Sequence, residues 1–404
     1  MIESNEIVRN DGSASQLRAE LVDRARALIP VLEKNAAQTE ANRRIVEENI
    51  IAIKQAGLFK IMVPRRFGGL ETDFRTKLEV TRELAKGCGS TAWAMSLING
   101  CAWLAGCASD RTQQDIWGAN PNARLAGAFN PAEQSRRVDG GFVVSGRWPW
   151  ASGCLHADWG FVGIPISEAA SNVPELGFAF IPMSQLTIED TWFAAGMKGT
   201  GSNTIVAQEV FVPDHRILPA AGLLRDDFPT PHKNEGLYRS SFMPAAALLL
   251  IGPLLGLATR ALELVIENAP KKAIAYTFYA KHSTAPTFQL AIAKAATLVD
   301  TAHLHAYRAA DAIDNAAKLG KTIGYVERAR ARMDTGYVAE TAREAIRILC
   351  SAHGASSFSE ASPLQRIWRD VEVASRHAII RPEINAEIYG RALLGDAENV
   401  TPLV

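Results

Sequence analysis

The sequence predicts a mostly α-helical protein with a central, mainly antiparallel β domain, in the order helices, β-structure, helical bundle. Three observations carry this expectation. Apolar residues recur at helical spacing through the first third of the chain. Short β-rich runs punctuated by turn residues fill about 122–217, and Ala-rich helical segments run from about 241 to the end. The expected division is an N-terminal helical domain over 1–121, a β domain over 122–217, a long loop of lid-like length over 218–240, and a four-helix bundle over 241–404.

Each element follows from local pattern. Ser13 and Gln16 form a capping-box pattern, after which Leu17, Leu21, Ala25, Leu28 and Leu32 share one helical face. A second helix is expected over about 43–56, stopped by Gly57. Further helices are expected over about 74–86, 90–108 and 110–117. Asp139-Gly140, followed by Phe142, Val143 and Val144, is a hairpin signal. Other strand candidates lie at 159–166, 176–181, 186–188 and 204–212. The bundle is expected from segments near 242–269, 286–318, 322–352 and 362–394. The most apolar stretch, Phe242 to Ala258, contains Pro244, Gly252 and Pro253 and reads as a buried helix, not a membrane span.

Composition narrows the function classes. A chain of 404 residues exceeds one compact core, and 48% hydrophobic with 21% charged residues is ordinary for a globular protein. Lys plus Arg and Asp plus Glu both number 43, so no net field favours nucleic acid or an anionic membrane. The five cysteines include no CxxC pair, which argues against a disulfide framework or thiolate metal site and fits a reducing cytoplasm. The polar stretch Met1 to Gly12 has no signal-peptide apolar region. There is no GxxxxGK[ST] and no GxGxxG opening a helix, so no nucleotide-binding α/β domain is expected. His303 and His305 point to different helix faces and are read as packing residues, so no metal site is expected.

Four segments carry a resemblance: VPRRFGGLETDF (63–74), GGFVVSGRWPWASGCLHADW (140–159), GMKGTGSNTIVAQEVFVPDH (196–215) and WRDVEVASRHAIIRPEINAEIYGRALLG (368–395). In this order they resemble the acyl-CoA dehydrogenase superfamily, and more specifically its oxygenase branch. That branch comprises two-component flavin monooxygenases related to hydroxyphenylacetate and secosteroid hydroxylases and to indole-oxygenating enzymes. The resemblance spans essentially the whole chain. It implies the acyl-CoA dehydrogenase-like fold, a separate NAD(P)H:flavin reductase, O2 as co-substrate, oxygen activation as a C4a-hydroperoxyflavin, and a homo-oligomer, tetramer or dimer.

The resemblance also assigns residues. Trp150-Ala151-Ser152 matches the aromatic-x-Ser/Thr triplet beside the isoalloxazine, with Ser152 at flavin N5. Residues i and i+2 of a strand share a face, so Trp150 and Ser152 are expected on one side. The alternative is that Trp148 and Trp150 are core aromatics. The backbone near Ala128 and Phe129 and the loop holding Thr200 and Ser202 match the flavin edge; that loop reads equally as a tight glycine turn. In many dehydrogenases a catalytic glutamate lies eight positions beyond the Asp of an Arg-Asp pair. Here the pair is Arg369-Asp370 and that position is Ala378, beside His377. A proton-abstracting carboxylate is absent there. An imidazole titrating near neutrality suits an oxygenase instead, so His377 is the expected catalytic residue on the C-terminal helix, together with Ser152.

The dehydrogenase arginine that holds the FAD pyrophosphate is replaced by Phe278, counted from Phe288-Gln289, so FMN is expected, with FADH2 as the second choice. His353 and Gly354 lie where the family contacts the flavin phosphate from a neighbouring subunit. Related phenol hydroxylases place a histidine two residues before a tryptophan, where this chain has Cys101 and Trp103. A neutral, flat, indole-like substrate is therefore expected, with Cys101, Trp103 and His156 as candidate contacts.

Overall fold

The computed structural model describes residues 12–131, 134–166, 175–396 and 398–404. The N-terminal helices are α1 (Gly12–Ala27), α2 (Ile29–Lys34), α3 (Ala36–Ala41), α4 (Glu47–Gln55), α5 (Phe74–Gly87), α6 (Gly89–Gly106) and α7 (Asp110–Trp117). Pro30 opens α2, which divides the apolar run that the sequence reads as one helix. The second expected helix starts later than residue 43, because Arg43 adopts φ +50°. Gly57 stops α4 in the left-handed region, at φ +75°. Helix α5 begins where Asp73 caps the N–H of Thr76 at 2.8 Å. α6 is buried along nearly its whole length and forms the floor on which the β domain and the bundle meet.

The β strands are β1 (Leu125–Pro131), β2 (Gln134–Val138), β3 (Gly141–Ala151), β4 (Trp159–Pro165), β5 (Leu176–Pro182), β6 (Thr187–Glu189), β7 (Asn203–Pro213) and β8 (Ile217–Pro219). They form two four-stranded sheets, ordered β1-β4-β5-β8 and β2-β3-β7-β6. All pairings are antiparallel except β1 with β4. The β2–β3 turn lies at Asp139-Gly140 as expected, with Gly140 at φ +74°. Val144, Trp148, Val162, Ile164, Ile181 and Ile205 fill the space between the sheets.

The remaining helices are α8 (Ala220–Leu224), α9 (Phe242–Leu248), α10 (Ile251–Asn268), α11 (Pro286–Leu319), α12 (Tyr325–His353), α13 (Pro363–Ala374) and α14 (Pro382–Leu393). The stretch after α8 is ordered by contact: Phe228, Leu237 and Tyr238 are buried, and Thr230 donates to the Cys107 carbonyl at 3.0 Å. The run Phe242–Lys271 is long and apolar enough to cross a membrane, but 89% of its most apolar window is buried inside the protein, so it is a core helix.

Two interruptions in the bundle depart from the sequence expectation. Helices α9 and α10 are separated at Leu249-Leu250 because Pro253 has no N–H to give the Leu249 carbonyl. That carbonyl instead accepts from Lys77 Nζ at 2.6 Å and from the Ser96 hydroxyl. Lys77 is wholly buried, and burial pushes its ammonium well below the usual lysine range. The expected helix over 362–394 is likewise two helices. Pro382 disfavours α geometry at Arg381, which takes φ −61° and ψ 118°, and a short 3-10 turn over Ala378–Ile380, flanked by extended His377 and Arg381, separates the two helices.

Candidate active site

The break between α13 and α14 places His377 where no continuous helix would put it. His377 is extended, with φ −60° and ψ 134°, and its Nδ1 accepts the backbone N–H of Ile379 at 3.3 Å. The expectation of a helical His377 titrating near neutrality is therefore corrected. Burial pushes its pKa down to about 4, so the ring is neutral at ordinary pH. With Nδ1 acting as acceptor, the single proton of the neutral imidazole resides on Nε2, and the ring is a hydrogen-bond donor.

That ring lines a small cavity of about 40 Å³ shared by α6, β1, the α9–α10 junction and the α13–α14 break. Cys101, Leu104, Phe129, Leu249, Leu250 and His377 are among its walls. The thiol of Cys101 and the imidazole of His377 are its only side-chain heteroatoms. Burial pushes the Cys101 thiol up to about 12, so it stays protonated and uncharged. Gly127 allows β1 to approach α6 here: a Cβ at that position would lie 2.9 Å from Cys101 Sγ and 3.1 Å from the Phe161 carbonyl oxygen. The structure thus brings together Cys101, Phe129 and His377, three residues that sequence reasoning placed in different segments.

Trp103 does not join them. Two residues along a helix is about 200° of turn, so Trp103 points away from the face that carries Cys101. It is fully buried, donates from Nε1 to the Leu237 carbonyl at 3.1 Å, and packs edge-on to Phe74 at 5.0 Å. Trp103 is a core residue. Trp93, eight residues before Cys101 and about 80° from it around the helix, lies with its ring 6.0 Å from that of His377. His156 is also outside the cavity: the left-handed turn at Gly153 and the turn Cys154–His156 carry it away. It is buried in the field of Arg44 and Arg124, its Nε2 has no partner, and burial lowers its pKa to about 4.

At the end of β3 the expected shared face of Trp150 and Ser152 does not arise from strand alternation. The ladder with β7 shifts register between Trp148 and Ala151, Trp150 has φ +64°, and Ser152 lies beyond the strand. The two tryptophans divide the alternatives between them. Trp148 is fully buried, its Nε1 donating to the Gly163 carbonyl at 2.8 Å, whereas Trp150 is 63% exposed. A non-glycine residue at positive φ costs on the order of 1–3 kcal/mol, and such strain concentrates at functional sites. Ser152 is buried, and its hydroxyl lies 2.7 Å from that of Ser202, which lies 2.6 Å from that of Thr200.

The loop bearing Thr200 and Ser202 is pinned from the bundle. Asp370 Oδ1 accepts the Met197 N–H at 2.5 Å, and Arg369 donates to the Ala195 carbonyl at 2.6 Å. Burial raises Asp370 to about 6. Gly196 is required for this approach, since a Cβ there would stand 2.0 Å from the Arg369 carbonyl oxygen. Ala128, on β1 opposite Val162, is buried one residue from the cavity-lining Phe129.

His353 and Gly354 belong to a separate groove of about 700 Å³, which also includes Lys272, His282, Phe288 and Arg347. Gly354, at φ +86°, ends α12, and Lys272 donates to the His353 carbonyl. Burial, reinforced by Lys272, lowers the pKa of His353. Among the described residues no group of three or more His, Cys, Asp or Glu side chains is placed to hold a metal ion.

Comparison with known proteins places this geometry in context. A model described as the acyl-CoA dehydrogenase N-terminal domain matches residues 15–117, and one for the acyl-CoA dehydrogenase C-terminal domain matches 248–382. The chain is 34% identical over 378 residues to the flavin-dependent monooxygenase oxygenase subunit HsaA of Mycobacterium tuberculosis, covering 91% of this chain and 93% of that one. It is 30% identical to the oxygenase component of the FADH(2)-dependent resorcinol hydroxylase of Rhizobium sp., covering 93% and 94%. Among solved structures, XiaF from Streptomyces sp. in complex with FADH2 and glycerol superposes with a TM-score of 0.91 at 34% identity, covering 96% of this chain and 98% of that one.

Proposed function

The chain belongs to the acyl-CoA dehydrogenase-like oxygenase components of two-component flavin monooxygenases, and from that membership we propose its substrate class, its flavin and the work of each side chain. It is an oxygenase component that hydroxylates aromatic substrates with reduced flavin supplied by a separate reductase. The finer reading is a small, neutral, flat, indole-like substrate. The observation that carries it is the cavity in which an uncharged thiol and an uncharged imidazole are the only side-chain heteroatoms. A phenolate entering that space would be buried without a cation, whereas a neutral ring loses nothing comparable. At about 40 Å³ the cavity is smaller than a single aromatic ring, so the ring must displace flexible side chains such as Leu249 and Leu250.

The residues fit a flavin ring. An indole held exposed on a strained backbone, beside a buried hydroxyl, offers a flat apolar surface and one polar contact. When bound, reduced flavin supplies the electron pair with which O2 delivers one oxygen atom to the substrate and the other to water. Trp150 would cover the ring and Ser152 would orient it through its N5 edge, while the apolar walls exclude water. His377, whose ring lines the cavity, holds a proton at Nε2 and would act as a neutral donor to developing negative charge on oxygen.

FADH2 is favoured over the FMN that the missing arginine suggested. The groove at His353 and Gly354 has cations in Lys272 and Arg347 and room for the adenosine half. The flavins named for the resorcinol hydroxylase and for XiaF point the same way. The groove lies apart from Trp150, and Tyr276, Phe278 and Leu290 beside it are exposed apolar groups, so a second copy of the chain bringing this groove to the flavin completes the site. The test is a side-by-side turnover assay of indole and a simple phenol, with FAD or FMN, NADH and an unrelated flavin reductase. Coupled phenol hydroxylation with indole inert overturns the substrate reading. FMN supporting turnover at far lower concentration than FAD overturns the flavin reading.

A further inference from the structure

The hydroxyl chain behind Ser152 has a direction. Thr200 Oγ1 lies 2.8 Å from the Met197 carbonyl oxygen, 2.6 Å from Ser202 Oγ, and Ser202 Oγ lies 2.7 Å from Ser152 Oγ. A hydroxyl has one proton and two lone pairs. A carbonyl only accepts, so the proton of Thr200 goes to Met197. Thr200 must then accept from Ser202, and Ser202 must accept from Ser152. The proton of Ser152 is therefore committed inward, and toward the flavin it presents lone pairs alone.

The end of the chain is anchored so that this direction holds. The Met197 carbonyl also accepts the Trp192 indole N–H at 2.9 Å, and its residue is fixed at φ +52° by the Asp370 carboxylate on its N–H. Ser152, Thr200 and Ser202 are each about 5% exposed or less, so water does not compete for these protons.

We propose that this relay makes the flavin site selective for redox state, with Thr200 and Ser202 acting as positioning residues. The inference rests on the placement of flavin N5 at Ser152. Reduced flavin carries an N–H at N5, which a lone pair on Ser152 accepts. Oxidised flavin carries a lone pair there, which meets another lone pair. The chain thus captures the form a separate reductase delivers and releases the spent form without any change of fold.

The test is equilibrium binding of FAD in both redox states, the reduced form under anaerobic conditions, to the whole protein and to Thr200→Val and Thr200→Ser. The wild type is expected to bind reduced FAD roughly tenfold or more tighter than oxidised FAD, the scale of one hydrogen bond made against one opposed. In Thr200→Val, Ser202 has no inward acceptor, so its proton turns outward to Ser152 and the Ser152 proton is freed for the ring. The preference should fall by about tenfold, mainly through tighter binding of oxidised FAD, which corresponds to a potential change of about 30 mV for the bound two-electron couple. Thr200→Ser keeps the relay and should keep the preference. An unchanged preference in Thr200→Val, an equal loss in Thr200→Ser, or a wild type with no preference overturns the relay. A wild type that binds neither form overturns the flavin site itself, a distinguishable result.

Discussion

Replacing His377 by Asn separates the two jobs of that side chain. The Asn carbonyl oxygen reproduces Nδ1 as acceptor of the Ile379 N–H, but nothing reproduces the Nε2 donor of a ring that lines the cavity. Product formation per flavin oxidised should fall by roughly 10²–10⁴-fold, the range of a positioned proton-transferring group, with hydrogen peroxide released in place of product. His377→Gln, which extends an amide N–H toward the Nε2 position, should recover part of the coupling. Stability has a signature of its own. Burial lowers the folded pKa of His377 to about 4 from an unfolded value of 6.5. The unfolded chain therefore binds a proton that the folded chain refuses. The contribution is fully present above about pH 6.5 and is lost as pH falls from there to about 4. Between pH 7 and pH 5 the wild type should lose about 2 kcal/mol through this group, and His377→Asn should not. Urea midpoints at the two pH values measure this, and product-to-peroxide ratios measure the coupling. Wild-type coupling in the Asn variant would refute the donor role. An equal acid loss in both proteins would refute the account of burial.

Three further outcomes are expected. Ser152→Ala should weaken anaerobic binding of reduced FAD by about 1–3 kcal/mol with little change in thermal midpoint, since one buried hydrogen bond is lost and no large cavity forms. Cys101→His puts an imidazole against Gly127 and into a space of about 40 Å³, so indole turnover should drop by about tenfold or more while any phenol turnover rises. A rise with indole would contradict the packing. Lys77 and Pro253 should be coupled through the Leu249 carbonyl: Pro253→Ala, which restores an N–H, should stabilise the Lys77→Met protein by about 0.5–1.5 kcal/mol more than the wild type in a urea double-mutant cycle, and zero coupling would show that the lysine is there for another reason.

The layering of the fold was legible because period and turn chemistry agree: the hairpin at Asp139-Gly140, the stop at Gly57 and the Ala-rich bundle segments each needed only local physics. What was not legible depended on breaks. The break before α14 had a signal in Pro382, which disfavours helical geometry at Arg381 and which helical periodicity overrode, whereas the extended backbone of His377 had none of its own. The turn at Trp150 had no such signal, because a tryptophan at positive φ is held by the surrounding sheet and by nothing in its own side chain. Cys101 and Trp103 were paired by the resemblance to phenol hydroxylases, but two positions along a helix point to nearly opposite faces, and only Cys101 lines the cavity. The hydroxyl relay joins segments 50 residues apart and could be found only once they were in contact.

The central claim is that this chain receives reduced flavin and uses it on oxygen. Mixing the protein with anaerobically reduced FAD, then with oxygenated buffer, and following the return of the oxidised flavin spectrum tests it without knowledge of the substrate. The account predicts that the lone chain does not oxidise NADH, and that its bound flavin reoxidises in two phases, the first dependent on oxygen concentration and the second not. Reoxidation in one phase at the rate of free flavin, or a protein that is purified with tightly held oxidised FAD and is reduced by an acyl-CoA, would contradict it.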